Sequence, residues 1–516
     1  MDEKEKFERS IGEKEKLESS MDEKEKLERS KDAKEKFGRL MDEKEKFERS
    51  KDEKEKIESS MDEKEARRQR IITEPIGPLL IRMAIPTMVG MLVSMIYNLT
   101  DTFWIGQLND KSMTAAIGVV FSFVSIIQAL GFWFGYGSGN VMSRKLGEQD
   151  EKEARIISAS GIVLAIGTGI LLLLVCYPFA DRIAAFIGGN ASPKLLEYTS
   201  EYLKIMLIAV PFSLFSTTVY NQLRLCGNVK DGMIGLLVGM VSNIFLDPVF
   251  ILVMKMEIRG AGLATLLGQV LGCVVLVILS NRHGNIPVKL KGYSFREKRL
   301  YHILAGGAPN FSRQGISSLA AVMLNQLAAP YGDGMLAALT VSSRVAALAY
   351  LLMIGFGQGF QPICAMNYGA KKYDRVEQAF RLTVLVGTIF LCVAGVLLGI
   401  FAEPLVSLFN KDPDVILLSV KILRFQCISF PFLSYYAVSS MYMQNIGKYF
   451  HSLMISIMRQ GIVYIPLLYL LTVTLQELGI CLVQPISDIL SCLIAIIILG
   501  VYKKKSQIKE IERAVN

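Results

Sequence analysis

Two carboxylates stand inside stretches that are otherwise apolar enough, and long enough, to cross a bilayer: Asp101 in the run 79–108 and Asp247 in the run 233–254. An acid at mid-membrane costs roughly 3 kcal/mol on insertion scales, so it persists only where partners, water or a task keep it there. Each has an amide on its own helix face, Asn98 three residues before Asp101 and Asn243 four before Asp247. Tyr97 and Asp101 are four apart, as are Thr265 and Gln269 on the following span, so each pair shares a face. Carboxylates flanked by amides and hydroxyls suit a relay for protons or a monovalent cation. The bland alternative is a pair of buried acids that merely tie helices together. Pro86 lies in the same span as Asp101 and Pro248 directly follows Asp247, and an interior proline removes a backbone hydrogen bond and lets a helix bend.

Twelve apolar runs must position these groups, at about 79–107, 115–139, 156–180, 197–219, 233–254, 260–281, 301–328, 335–363, 379–402, 416–440, 450–473 and 476–502. Most are too long for core helices of a soluble protein and fit membrane spans. Lys and Arg crowd the loops after even-numbered spans and the segment after the last, notably Arg144 to Arg155, Arg282 to Arg299 and Lys503 to Lys505. That bias places both termini in the cytoplasm of a multi-pass protein of the cell (inner) membrane. A weak repeat divides the spans six and six. Ile85-Pro86 answers Ala308-Pro309, Leu146-Gly147 answers Tyr368-Gly369, and Gly227 answers Gly447. Six is even, so the halves share one orientation and are related by a pseudo-two-fold axis along the membrane normal. The expected fold is therefore an all-α polytopic membrane protein with twelve transmembrane helices in two six-helix lobes. The amino-terminal lobe is 72–282 (spans 1 to 6), the basic linker 283–299, the carboxy-terminal lobe 300–503 (spans 7 to 12), and a cytoplasmic tail 504–516.

Ahead of the spans, residues 1–70 repeat a decapeptide seven times, clearest as MDEKEKFERS at Met1 and Met41. This tail holds 24 acids and 22 bases, leaving 24 acids and 35 bases for the body. Ten residues turn an ideal helix 80° short of three full turns by the roughly 100° each residue adds, so the one apolar residue per unit spirals around the surface. A disordered segment or solvated helix is expected. It has no apolar h-region and is no signal peptide.

Eight scattered cysteines without CxxC spacing read as small core residues, and three histidines (His283, His302, His451) offer little material for a metal cluster. No Walker A, GxSxG or HExxH pattern occurs, so the chain is not expected to be an enzyme. The second half differs in sign: Arg313, Arg344 and Arg459 lie within spans, with Asp488 as the lone interior acid. Arg344 and Arg459 either pair with backbone carbonyls or Asp488, or snorkel to the inner interface.

Ile85-Pro86 through Tyr97-Asn98-Leu99-Thr100-Asp101-Thr102, together with Asn243-Ile244-Phe245-Leu246-Asp247-Pro248, resembles the multidrug and toxic compound extrusion (MATE) family, closest to its DinF-like bacterial branch. The resemblance implies antiport, in which H⁺ or Na⁺ enters while a small lipophilic, often cationic, compound leaves by alternating access of the two lobes. It carries a cation site onto Asp101, Asn243, Asp247 and Thr265, supported by Tyr97, Asn98 and Gln269. The NorM-like branch adds acids on spans 7 and 10. Here Arg313 and Gln314 occupy that part of span 7 and span 10 has no acid, so such a second-lobe site is not expected. No cofactor beyond the coupling ion, no metal other than Na⁺ at that site, and no nucleic-acid partner is expected; membrane lipids surround a functional monomer. Two rivals are a flippase for lipid-linked oligosaccharide or another amphipathic lipid, and a membrane receptor or scaffold that recruits partners through the repeat tail.

Overall fold

The computed structural model describes residues 63–108, 110–282, 284–288, 290 and 292–515, without the side chains of residues 98, 99, 101, 102, 190 and 506–515. The repeat tail up to residue 62 lies outside the described residues. Twelve long helices run through the rest: α1 Ile76–Gly106, α2 Lys111–Gly147, α3 Glu151–Cys176, α4 Pro193–Leu225, α5 Val229–Val253, α6 Glu257–Ser280, α7 Glu297–Ala328, α8 Asp333–Gly369, α9 Tyr373–Ile400, α10 Pro413–Asn445, α11 Tyr449–Leu475 and α12 Glu477–Val515. Each coincides with one apolar run of the sequence. Among the described residues eleven are long and apolar enough to cross a membrane. The remaining one, α7, has the length at 32 residues but carries Asn310, Arg313 and Gln314 in its middle, and packs against α2 and α11.

Most helices outrun their apolar runs because caps, not hydropathy, set their ends. Asp110 opens α2 by accepting from Ser112 N at 2.8 Å, and Ser192 opens α4 by accepting from Leu195 N at 3.1 Å, followed by Pro193 at a position where its missing N–H costs nothing. A hydrogen bond from Lys194 holds the Asp110 carboxyl below its ordinary range. Left-handed turns close α4 and α10 alike. Gly227 (φ 83°) and Gly447 (φ 81°) let Asn228 N reach Leu223 O at 3.0 Å and Lys448 N reach Met443 O at 2.9 Å.

The duplication is visible in the packing. Within the first half α2 packs on α4, α4 on α6, α5 on α6 and α1 on α5; in the second half α8 packs on α10, α10 on α12, α11 on α12 and α7 on α11. Across the halves α1 meets α8, α2 meets α7, and α2 meets α8, the pattern a two-fold operation exchanging the halves requires. A five-residue π-turn ends α5 at Val249–Val253 and another interrupts α11 at Met458–Ile462. In α5 it directly follows Pro248, whose absent N–H breaks the regular ladder.

The seam between the halves is tied at the end that bears the basic loops. Arg224 of α4, fully buried, donates to Gln358 O at 2.9 Å and Gln361 Oε1 at 2.8 Å on α8, with its guanidinium 5.0 Å from the Tyr136 ring centre. Arg144 of α2 donates to Asn445 O at 2.8 Å and Tyr449 Oη at 2.6 Å. Trp133 Nε1 donates to Leu304 O at 2.7 Å, and Thr87 Oγ1 to Gly355 O at 2.6 Å.

Inside the second half, Arg459 Nε meets Asp488 Oδ1 at 2.7 Å, and Asp488 also accepts from Gln484 Nε2 at 2.7 Å and Ser429 Oγ at 2.8 Å. The guanidinium lies 4.6 Å from the Tyr350 ring centre. Of the two sequence alternatives for Arg459, pairing with Asp488 holds; Arg344 is exposed on α8. Removing one member of a buried pair strands the other charge at about 3 kcal/mol or more, whereas removing both is close to neutral. Asp488→Asn and Arg459→Gln are therefore each expected to lower the thermal unfolding midpoint of the detergent-purified protein well below that of the double variant. A double variant as unstable as the worse single one would show that the pair does not act as a unit.

Candidate functional site

α5 and α6 meet on glycine. A Cβ on Gly268 would stand 2.7 Å from Gly239 O, and one on Gly239 2.9 Å from Gly268 O, so these helices approach closer than any larger residue allows. That approach brings side chains one turn further along into hydrogen-bond range. Asn243 Nδ2 donates to Asp247 Oδ1 at 3.2 Å along α5 and to Thr265 Oγ1 at 3.2 Å across to α6. Asp247 is fully buried, and Asn243 and Thr265 nearly so.

With both donor bonds directed at Asp247 and Thr265, the amide turns its carbonyl oxygen the other way. Asn243 Oδ1 is buried and accepts no hydrogen bond among the described residues. A buried acceptor without a donor is costly, and it is the atom a small cation or a protonated group would satisfy. Carboxylate, amide and hydroxyl oxygens are hard donors suited to Na⁺ or H⁺, and this set has no sulfur or imidazole to favour a transition metal.

Asn243 and Thr265 stand in the wall of a cavity among α1, α2, α4, α5 and α6. Tyr97, Gln269 and Ser94 line it as well, as do Gln128, Thr217 and Met206. The wall thus combines hydroxyl and amide groups with apolar surface, the usual make-up of a small-molecule site. Three residues expected from sequence, Asn243, Asp247 and Thr265, come together directly, and Tyr97 and Gln269 share their cavity. Asp101 and Asn98 lie on α1, but their side chains are outside the described residues, as is that of Thr102. Pro248 precedes the π-turn just beyond Asp247; α1 runs on through Pro86.

Several polar residues escaped the sequence argument. Arg224 sits beyond the apolar run of span 4 and looks there like one more basic loop residue, yet it is among the largest fully buried side chains. The sequence boundary of the tail, at residue 70, falls inside a helix described over 63–73, whose stretch from Glu65 on belongs to the same compact unit as the bundle and whose Ile71 is wholly buried. The only available signal was the Ile71-Ile72 pair, too brief to register as a run.

The MatE family model matches residues 86–249 and 313–470, one segment in each half. The multidrug export protein MepA of Staphylococcus aureus (strain MSSA476) is 27% identical over 437 residues, covering 82% of this chain and 94% of that protein. MepA of Staphylococcus haemolyticus (strain JCSC1435) is 26% identical over 399 residues, covering 75% and 85%. Among solved structures, a MATE in complex with MaL6 superposes with a TM-score of 0.79 at 22% identity, covering 86% of this chain and 99% of that one. An outward-facing multidrug resistance MATE transporter of the MOP superfamily gives 0.78 at 23% identity, with 85% and 98% covered. Both halves of the repeat, the two-fold packing and the paired motifs are thus accounted for together: the chain belongs to the MatE family.

Proposed function

We propose that this chain exports small lipophilic, often cationic, compounds by antiport against H⁺ or Na⁺, with the two lobes (72–282 and 300–503, joined by 283–299) exposing a central path alternately to each side. The observation that carries the reading is the buried Asn243, Asp247 and Thr265 constellation on a cavity wall, with Asn243 Oδ1 awaiting a positive partner. The coupling ion sits there, with Asp101 of α1 as the second carboxylate that the sequence assigns to it. The basic end faces the cytoplasm with both termini, in the cell membrane, as the Lys and Arg bias directs. The curated relatives are named as multidrug export proteins, which agrees with this assignment.

One charge moved down 100 mV releases about 2.3 kcal/mol, enough to sustain a drug gradient of roughly 1.7 decades. A flippase of anionic lipids would need several interior cations free to meet head groups. Arg459 is already neutralised by Asp488, whereas Arg313, half-buried on α7, and Arg344, exposed on α8, are the cations on which that rival rests.

In proteoliposomes with separately imposed pH and sodium gradients, Asp247→Asn is expected to abolish gradient-driven drug efflux while leaving the folded protein intact. Efflux that still follows the same gradient in this variant would remove the site from the mechanism. Thr265→Val, which deletes the hydroxyl but keeps the shape, is expected to raise the half-saturating concentration of the coupling ion severalfold, with the maximal rate less affected; an unchanged ion dependence would exclude Thr265 from the site. Removing residues 1–64 is expected to leave transport within about twofold, since the charged decapeptide units carry no continuous apolar stripe in their sequence. Loss of transport on that deletion would favour the receptor or scaffold role.

A further inference from the structure

We infer that helix 65–73 is a clasp across the cytoplasmic seam, carried by the carboxy-terminal lobe and released from the amino-terminal lobe whenever the transporter opens inward. The inference rests on the alternating-access reading above. The helix bonds to both lobes at once. Toward the amino-terminal lobe, Arg67 Nη1 donates to Asn285 Oδ1 at 2.8 Å and Gly284 O at 2.9 Å in the linker just past α6, where Asn285 itself donates to Asp231 Oδ2 and Leu279 O, and Arg68 Nη2 donates to Gly147 O at 3.1 Å, at the end of α2. Toward the carboxy-terminal lobe the helix offers its last carbonyls. Arg375 Nη2 donates to Glu74 O at 2.6 Å and Ile71 O at 3.2 Å, Lys372 Nζ to Ile72 O at 3.0 Å, and Asn367 Nδ2 to Ile71 O at 3.1 Å.

The two attachments differ in kind. A helix carboxy terminus has unsatisfied carbonyls and partial negative charge, so Lys372 and Arg375 of α8–α9 cap it where cations are most favourable. Ile71, Ile72, Ile76, Leu79, Leu80 and Met83 then continue the same contact as members of the apolar core that includes Phe360, Ile363 and Phe380 of the carboxy-terminal lobe. At this end helix 65–73 and the first turns of α1, a span the repeat counts with the amino-terminal lobe, share an apolar core with the carboxy-terminal lobe. The other attachment consists of two long arginine side chains at partly buried positions, whose bonds water can replace, and of Ile71 packed over Gly227 at the end of α4. Opening the seam at this end separates Gly147, Gly227 and Gly284 from Asn367, Lys372 and Arg375. The arginine side yields, because the carbonyl caps and the isoleucine core would otherwise be exposed together.

Cross-linking distinguishes the two sides. In the full-length protein in proteoliposomes, Arg67→Cys with Asn285→Cys, joined by a short bifunctional thiol reagent, is expected to reduce drug efflux at least tenfold. Ile72→Cys with Lys372→Cys, joined the same way, is expected to leave it within about twofold of the unlinked pair, since those residues travel together. Arg144→Cys with Asn445→Cys bridges the lobes directly and reports whether they move at all. If that bridge fails to arrest transport, alternating access itself falls. If it arrests transport while the 67–285 bridge does not, or the 72–372 bridge arrests it too, the clasp assignment is overturned and alternating access stands. A second readout needs no introduced thiol. Arg67→Ala/Arg68→Ala is expected to speed maleimide labelling of the buried Cys226 from the cytoplasmic side about tenfold, and labelling at the parental rate in the folded, transport-competent variant would count against the clasp.

Discussion

A charged group inside the bilayer must be compensated by the protein, because neither lipid nor bulk water is at hand to do it. Each interior charge described here obeys that constraint by a different route. Asp488 has a guanidinium of its own chain at 2.7 Å and two further donors. Arg224 lies on carbonyl and amide oxygens of the opposite half and between tyrosine rings. Asp247 sits with a neutral amide and, through it, a neutral hydroxyl. The first arrangement is closed within one lobe, the second bridges the two lobes, and the third leaves an amide oxygen of Asn243 without a donor among the described residues. One rule is met in three ways.

The duplicated plan makes the difference between the halves informative. Both lobes break a helix with a π-turn at the same stage of the fold, after Pro248 in α5 and at Met458 in α11, and both pack that helix against its successor. A π-turn frees backbone from the regular ladder and is commonly retained where a side chain must be aimed. In one lobe the neighbouring residues are Asn243 and Asp247; in the other the turn itself contains Arg459. The same scaffold therefore presents a set of oxygen atoms in one lobe and a self-contained ion pair in the other.

Much of this was legible in the sequence, for reasons that can be stated residue by residue. Spans show because a bilayer demands some 20 apolar residues in a row, and the repeat shows because left-handed turns at Gly227 and Gly447 tolerate little else. Asn243 and Asp247 show because four residues is one helical turn. Thr265 has no such local mark; it joins them only because Gly239 and Gly268 let two helices nearly touch, a fact of tertiary packing. Arg224 was hidden by its position just past an apolar run, where a buried arginine and a snorkelling one look the same. The pairing of Arg459 with Asp488 could be named as one option among several, since residues 29 apart acquire a distance only once α11 and α12 are folded together.

The segment 65–73 was the hardest to see, and its composition explains why. Ten-residue units of alternating charge carry no stripe, and averaging over seven of them conceals that the last one departs from the pattern, with Arg67, Arg68 and then Ile71-Ile72 in place of a further lysine and glutamate repeat. Those four residues are the ones the fold uses: two cations reach the end of α2 and the α6–α7 connection, and two isoleucines enter the core of the other lobe. A motif that binds two bodies needs a different chemistry on each face, so it presents neither a pure apolar run nor a pure charge run. The same argument bears on the preceding units. Their sequences lack both the arginine pair and the isoleucine pair, so they contain nothing with which to repeat the clasp.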